Sequence, residues 1–247
     1  MPITIPVTGG TYTATPGEIF TIQAGTTGDI TINGATDFTV NIVGDLTGRV
    51  TDNLQQITFG ANTEPTVNIA AGIDTSAYAI DANGESLTLN IGDGANVGDI
   101  DGSHLDATGT FTINAGDNVS VSGYMQNLEP ADAVINFGLN ANFAENVQGS
   151  AGGSADMTFG DGASFGGSLY GANGSNPDQT SNIMLGDDTF IARSLVSNHL
   201  YGDRTLTIGD NLQANNAINL AGAAGDGAAF LTIGDNALVG GNITGTS

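Results

Sequence analysis

Leu206-Thr207-Ile208-Gly209-Asp210-Asn211 returns 25 residues later as Leu231-Thr232-Ile233-Gly234-Asp235-Asn236. Looser copies of the phrase are Ile57-Thr58-Phe59-Gly60, Met157-Thr158-Phe159-Gly160-Asp161 and Ile183-Met184-Leu185-Gly186-Asp187. With the glycine as origin, the series runs Gly92, Gly116, Gly138, Gly160, Gly186, Gly209, Gly234, at spacings of 24, 22, 22, 26, 23 and 25 residues. A nearly fixed period of this size marks stacked structural repeats, and a drift of a few residues is what loop insertions on a solenoid produce.

The offsets from the glycine specify what is stacked. The first and third preceding positions are apolar, with a polar residue between them: Thr58, Asn90, Asn114, Asn136, Thr158, Thr207, Thr232. That alternation is a short strand buried on one face. Three residues after the glycine stand Ala95, Val119, Ala141, Ala163, Thr189, Leu212 and Ala237; five after stand Val97, Val121, Phe143, Phe165, Ile191, Ala214 and Val239. Nine after stand Met125, Val147, Leu169, Leu195, Ile218 and Ile243, with Ile100 one step early. The Gly-Asp-Asn between the strands is turn chemistry, since Gly and Asn accept positive φ and Asp bonds nearby backbone.

The expected fold is therefore all-β: a single β-solenoid (β-helix) over residues 1–247, with about eight to ten coils of roughly 24 residues. At the inter-strand spacing of about 4.8 Å this makes a rod roughly 40 to 50 Å long. Residues 1–20 hold three of the six prolines and read as an N-terminal end segment, with coils over 21–247. Ile30-Thr31-Ile32-Asn33-Gly34 and Val40-Asn41-Ile42-Val43-Gly44-Asp45 read as coil strands, and 61–86 as a longer irregular interval.

Composition narrows the function. The chain has 38 glycines, no cysteine, no lysine, three arginines (Arg49, Arg193, Arg204) and 26 acidic residues, for a formal charge of −23. Such a field repels nucleic acid and anionic membranes. No apolar run approaches the 18 residues of a membrane-spanning helix. Disulfide and thiolate chemistry go with cysteine.

The acidic residue after the glycine is the sharpest constellation. Asp93, Asp117, Asp161, Asp187, Asp210 and Asp235 occupy equivalent sites, interrupted by Leu139. Stacked coils bring like charges together, which destabilises a sheet, and three arginines cannot neutralise the row. Hard divalent cations can, so structural Ca²⁺ is expected at these turns. Asp99 and Asp101 beside Gly92-Asp93-Gly94 make the densest acidic cluster, and Asp187-Asp188 the next. Carboxylates occupied by backbone N–H groups and water are the competing account of the same row.

Catalysis has little to stand on. His104 and His199 lie far apart with no repeated acidic partner, and the chain is expected not to be an enzyme. A β-helix polysaccharide lyase would need Ca²⁺ and a basic group for proton abstraction, for which Arg193 and Arg204 near His199 are candidates. A ligand-binding solenoid, an adhesin or an ice-binding module, would show a flat outward threonine or aromatic row. The repeat offers at most one threonine per coil, interrupted by Asn90, Asn114, Asn136 and Met184.

The last copy keeps its pattern to Ile243 with no helix, charged segment or proline to blunt it. Open strand edges template further pairing. The expected partner is therefore a second copy, in a homo-oligomer or filament formed by end-to-end strand pairing, without nucleic acid and without membrane insertion. By composition and by the Gly-Asp-Asn turns of its second half, the chain resembles bacterial type I-secreted, calcium-binding β-solenoid surface proteins of the adhesin and surface-layer kind. Its Leu-Thr-Ile-Gly-Asp-Asn phrase is also similar to bactofilin-type solenoids, which polymerise in the cytoplasm. The first resemblance, with no basic or long apolar stretch in Met1-Pro2-Ile3-Thr4-Ile5-Pro6, implies export to the cell surface without an N-terminal signal peptide; the second implies a cytoplasmic polymer.

Overall fold

In the computed structural model, described for residues 2–34, 37–47, 54–127, 131–173, 178–197, 202–220 and 227–245, every described strand pairs parallel and no described residue is helical. Three sheets run the length of a β-solenoid: two of eleven strands and, between them in the order of the chain, one of eight. We call them faces 1, 2 and 3 in the order the chain visits them. One turn of the rod illustrates all: Leu87–Ile91 on face 1, Asn96–Val97 on face 2, Ile100–Asp101 on face 3, then Thr110–Ala115 back on face 1. Each strand pairs with its counterpart in the next coil, for instance Leu89 with Ile113 and Ile100 with Met125.

The glycine-centred repeat is the physical repeat. On face 1 the register links Phe111, Ala133, Ala155, Ser181, Arg204 and Ala229 in turn, which reproduces the spacings read from the sequence. The positions five after each glycine lie on face 2 and those nine after it on face 3. Inside, side chains of one offset stack on themselves. Ile30, Ile57, Ile80, Ile100, Met125, Val147, Leu169, Leu195 and Ile218 form one buried column along face 3. Phe137, Phe143, Phe159 and Phe165 pack at centroid distances of 4.8 to 5.8 Å, both stacked and edge-on, a range in which aromatic pairs attract beyond their buried area.

The N-terminal third is more regular than its sequence reads. Residues 61–86 contain the strands Glu64–Ile69, Asp74–Thr75 and Tyr78–Ala82, a full three-sided coil. The buried Tyr78 hydroxyl donates to the Gly28 carbonyl oxygen at 3.1 Å, tying that coil to the region two coils earlier. The end segment is itself the terminal coil, with Ile3–Ile5 on face 1 and Gly10–Ala14 on face 3. Among the described residues, it and the next two coils carry no face 2 strand, so the rod narrows toward this end. The edge-on pairs Tyr12–Phe20 and Phe20–Phe38 fill the narrowed section.

Ile57-Thr58-Phe59-Gly60 is displaced from the place its likeness to the repeat implies. It belongs to Gln55–Phe59 on face 3, not to face 1. The likeness has a cause: Asn62 after it takes φ 60°, so the same strand-then-left-handed turn is used at a different corner.

Candidate functional site

The corner between faces 1 and 2 accounts for the Gly-Asp-Asn phrase atom by atom. The second residue after each origin glycine is left-handed in every coil: Gly94, Asn118, Asn140, Gly162, Asp188, Asn211 and Asn236, with φ between 57° and 74°. That region is costly for residues other than Gly, Asn and Asp. The residue before it places its carboxylate under the next coil. Asp93 Oδ1 accepts the Asp117 N–H at 3.0 Å, Asp117 Oδ1 the Leu139 N–H at 2.8 Å, and Asp161 Oδ1 the Asp187 N–H at 2.9 Å. The series continues from Asp187 to Asp210 and from Asp210 to Asp235, each at 2.7 Å. The carboxylate adds to a close backbone approach that already favours glycine, as at Gly160, where a Cβ would meet the Gly138 main chain with no carboxylate beneath it. A Cβ at Gly116, Gly138, Gly186, Gly209 or Gly234 would collide with Oδ1 of the aspartate below it.

These carboxylates thus form a column of charge-assisted hydrogen bonds to backbone, the account that competed with calcium in the sequence. A second bond returns in the opposite sense: the Asn211 N–H donates to the Asp235 carbonyl oxygen at 2.8 Å. Among the described residues no group of three or more His, Asp or Glu side chains is placed to hold a metal ion. The column offers a cation at most one carboxylate per coil, none at Leu139, with Oδ1 of Asp93, Asp117, Asp161, Asp187 and Asp210 already engaged. Asp188 is set apart from Asp187 by its left-handed backbone; its Oδ1 accepts from the Asn211 amide at 3.0 Å, in a neighbouring amide column.

Asp93, Asp99 and Asp101, adjacent in sequence, are split between two corners. Asp99 and Asp101 join Asp81, His104 and Tyr124 on face 3. Asp81 and Asp101 are direct strand partners. His104 Nδ1 lies 3.5 Å from Asp81 Oδ1, a long contact, with the imidazole mostly exposed. Burial raises the Asp81 carboxyl above its ordinary range, the Asp101 charge adds to the rise, and His104 opposes it. Burial likewise raises Asp99, against the Tyr124 N–H that its Oδ1 accepts at 3.0 Å. The Tyr124 hydroxyl is raised by burial and by Asp101 and Asp99.

Face 1 carries two outward columns where the sequence reading found one. Asn41, Asn68, Asn90, Asn114 and Asn136 form a ladder of amide bonds at 2.9 to 3.2 Å. Beside it Thr39, Thr66, Thr88 and Thr112 lie in register. The array then breaks at Val134, and the asparagine amides spend their bonds on one another. The signal for the second column was present two residues before each asparagine.

The two described arginines sit in different settings. Arg204 is inside the rod, donating to the carbonyl oxygens of Gly202 at 3.4 Å and Gly227 at 3.2 Å, while Arg193 is exposed on a bend. Arg49 and His199 lie outside the described residues.

The last described coil differs from all before it. Leu231 and Ile243 are 37 and 50% exposed, whereas Leu206 and Ile218, their counterparts one coil earlier, are 1 and 0% exposed; Leu238 continues an outward position held one coil earlier by the exposed Gln213. At the opposite end Ile5 and Ala14 are buried. The class these features define is a β-solenoid with an open, apolar coil at one end and a narrowed coil at the other. No protein-family model, no curated protein and no solved structure matches the chain.

Proposed function

We propose that this chain is a non-enzymatic structural protein that builds longer rods by pairing its last coil with the first coil of a second copy. The exposure of Leu231 and Ile243 carries the reading, because the same positions are closed wherever another coil follows, as at Leu206 and Ile218. A second copy offers parallel edges at Ile3–Ile5 and Gly10–Ala14, so Leu231 and Ile233 would meet Ile3 and Ile5 in the register used throughout face 1. Head-to-tail contact is heterologous and generates an open filament. The first coil has no face 2 strand, so Leu238–Val239 stays a partly open seam in this arrangement.

Calcium enters as a counter-ion, bound through Oδ2 atoms along the Asp93 to Asp235 column, with water completing its shell. The formal charge of −23 supports that role and the scarcity of ligands per coil limits it to that. Absence of cysteine together with the acidic composition supports work at the cell surface. Negative-stain microscopy of purified protein tests the proposal: rods several times the length of one molecule support it, and single particles of one size overturn it.

A further inference from the structure

A groove of about 290 Å³ lies on face 3, lined by Tyr124, Gln126, Glu145, Asn146, Gln148 and Tyr170. Its floor is Met125. Gln126, Gln148 and Tyr170 are consecutive members of one outward column, each from a different coil, so the groove runs along the rod. The polar side chains are held from outside it. Asp101 Oδ2 accepts from the Tyr124 hydroxyl at 3.5 Å and from Gln126 Nε2 at 3.4 Å, and Asn146 Oδ1 accepts the Ser168 N–H at 2.8 Å.

We propose that this groove binds a neutral saccharide chain laid along the rod axis. A sugar hydroxyl both donates and accepts, and the carboxamides of Gln126, Asn146 and Gln148 can do both at one site. The Tyr124 and Tyr170 rings, at opposite ends of the Gln126–Gln148 pair, offer apolar faces with a polar tip, which suits a ring that is apolar on its face and polar on its rim. The volume is at the lower bound of ordinary small-ligand sites, enough for a short stretch of chain rather than a large molecule. Charge selects within the class: Glu145 at the groove, Asp99 and Asp101 behind it, and a formal charge of −23 overall exclude acidic polysaccharides. The inference is independent of assembly, since the groove lies on the side of the rod in coils far from either end.

Isothermal titration with cellohexaose, xylohexaose and mannohexaose tests it, with hexagalacturonate as the acidic control and hexaglucosamine as the cationic one. The expected result is saturable binding of at least one neutral hexasaccharide and none of hexagalacturonate. Tyr170→Ala and Gln148→Leu should each weaken that binding tenfold or more, with unchanged far-ultraviolet circular dichroism. Tyr12→Phe, at the narrowed end, should leave it intact. No binding of any neutral hexasaccharide at millimolar concentration overturns the proposal. So does binding that survives Tyr170→Ala and Gln148→Leu, or binding confined to hexaglucosamine and abolished by salt, which would mark an electrostatic site for amines.

Discussion

Asp187 Oδ1 accepts the backbone N–H of Asp210 at 2.7 Å, one coil further along the rod, and occupies the space that a Cβ at Gly209 would need. The aspartate and the glycine of neighbouring coils are therefore one device. The carboxylate requires the glycine, and the glycine lets the carboxylate reach the next coil. Asp187→Ala leaves that N–H without its acceptor and should lower stability by about 1 to 3 kcal/mol. Asp187→Asn keeps an oxygen at the same place and should cost much less in chelator. In millimolar Ca²⁺ the wild type should gain thermal stability that Asp187→Asn gains only in part, because the variant lacks one counter-ion ligand. Thermal denaturation of the three proteins with calcium and with chelator measures both effects.

The same device predicts a coupling. Gly116→Ala should destabilise strongly in the wild type, because its Cβ collides with Asp93 Oδ1. In an Asp93→Ala background the same change should cost less by about 1 kcal/mol or more, as residues in direct contact do not behave additively. Additive losses in a urea double-mutant cycle would contradict the steric link.

Asn211 sits at φ 60° and bridges Asp188 and Asn236 through its amide. Asn211→Ala should cost about 1 to 2 kcal/mol from the backbone alone, whereas Asn211→Gly should lose only the amide bonds. Chemical denaturation of the pair separates the two contributions.

Asp81 predicts a pH dependence of definite sign. Its carboxyl is raised from 3.8 in the folded state by burial, the largest cause, and by the Asp101 charge, against a smaller lowering by His104. The folded protein therefore binds this proton more tightly than the unfolded chain does. Stability from this group is full below the ordinary carboxylate value and is lost as pH rises through the raised one. Relative to wild type, Asp81→Asn should be more stable at pH 7 and should show less gain as pH falls from 7 toward 4. A steeper pH profile in the variant would contradict the burial argument.

The second half of the rod was legible because its corners make stereochemical demands that few residues meet. A left-handed position admits Gly94, Asn118 or Asp188 and little else, and the residue above a corner carboxylate must be glycine, so backbone geometry is written directly into side-chain identity. The first third hides the same corner. At Ala70-Ala71-Gly72 only the left-handed glycine survives, and no carboxylate marks the turn. Its coils also change length, from 17 residues between Ile3 and Phe20 to 27 between Val40 and Val67, which defeats a search for a fixed period. The face 3 groove was not legible, because Tyr124, Gln148 and Tyr170 belong to three coils and share no motif; only the register unites them. The acidic run from Asp93 to Asp101 shows the converse: neighbours in sequence lie at different corners.

Assembly is the claim on which the proposed function rests, and the absence of cysteine allows it to be tested directly. Thr232 and Thr4 are exposed members of one face 1 column, and head-to-tail pairing would set them on adjacent parallel strands. Strands about 4.8 Å apart bring their Cα atoms within disulfide range. The double variant Thr4→Cys/Thr232→Cys, oxidised and run on a non-reducing gel, should give a ladder of multimers, and each single variant should give none. Monomer alone, or a single dimer band that Thr232→Cys produces by itself, would contradict head-to-tail growth.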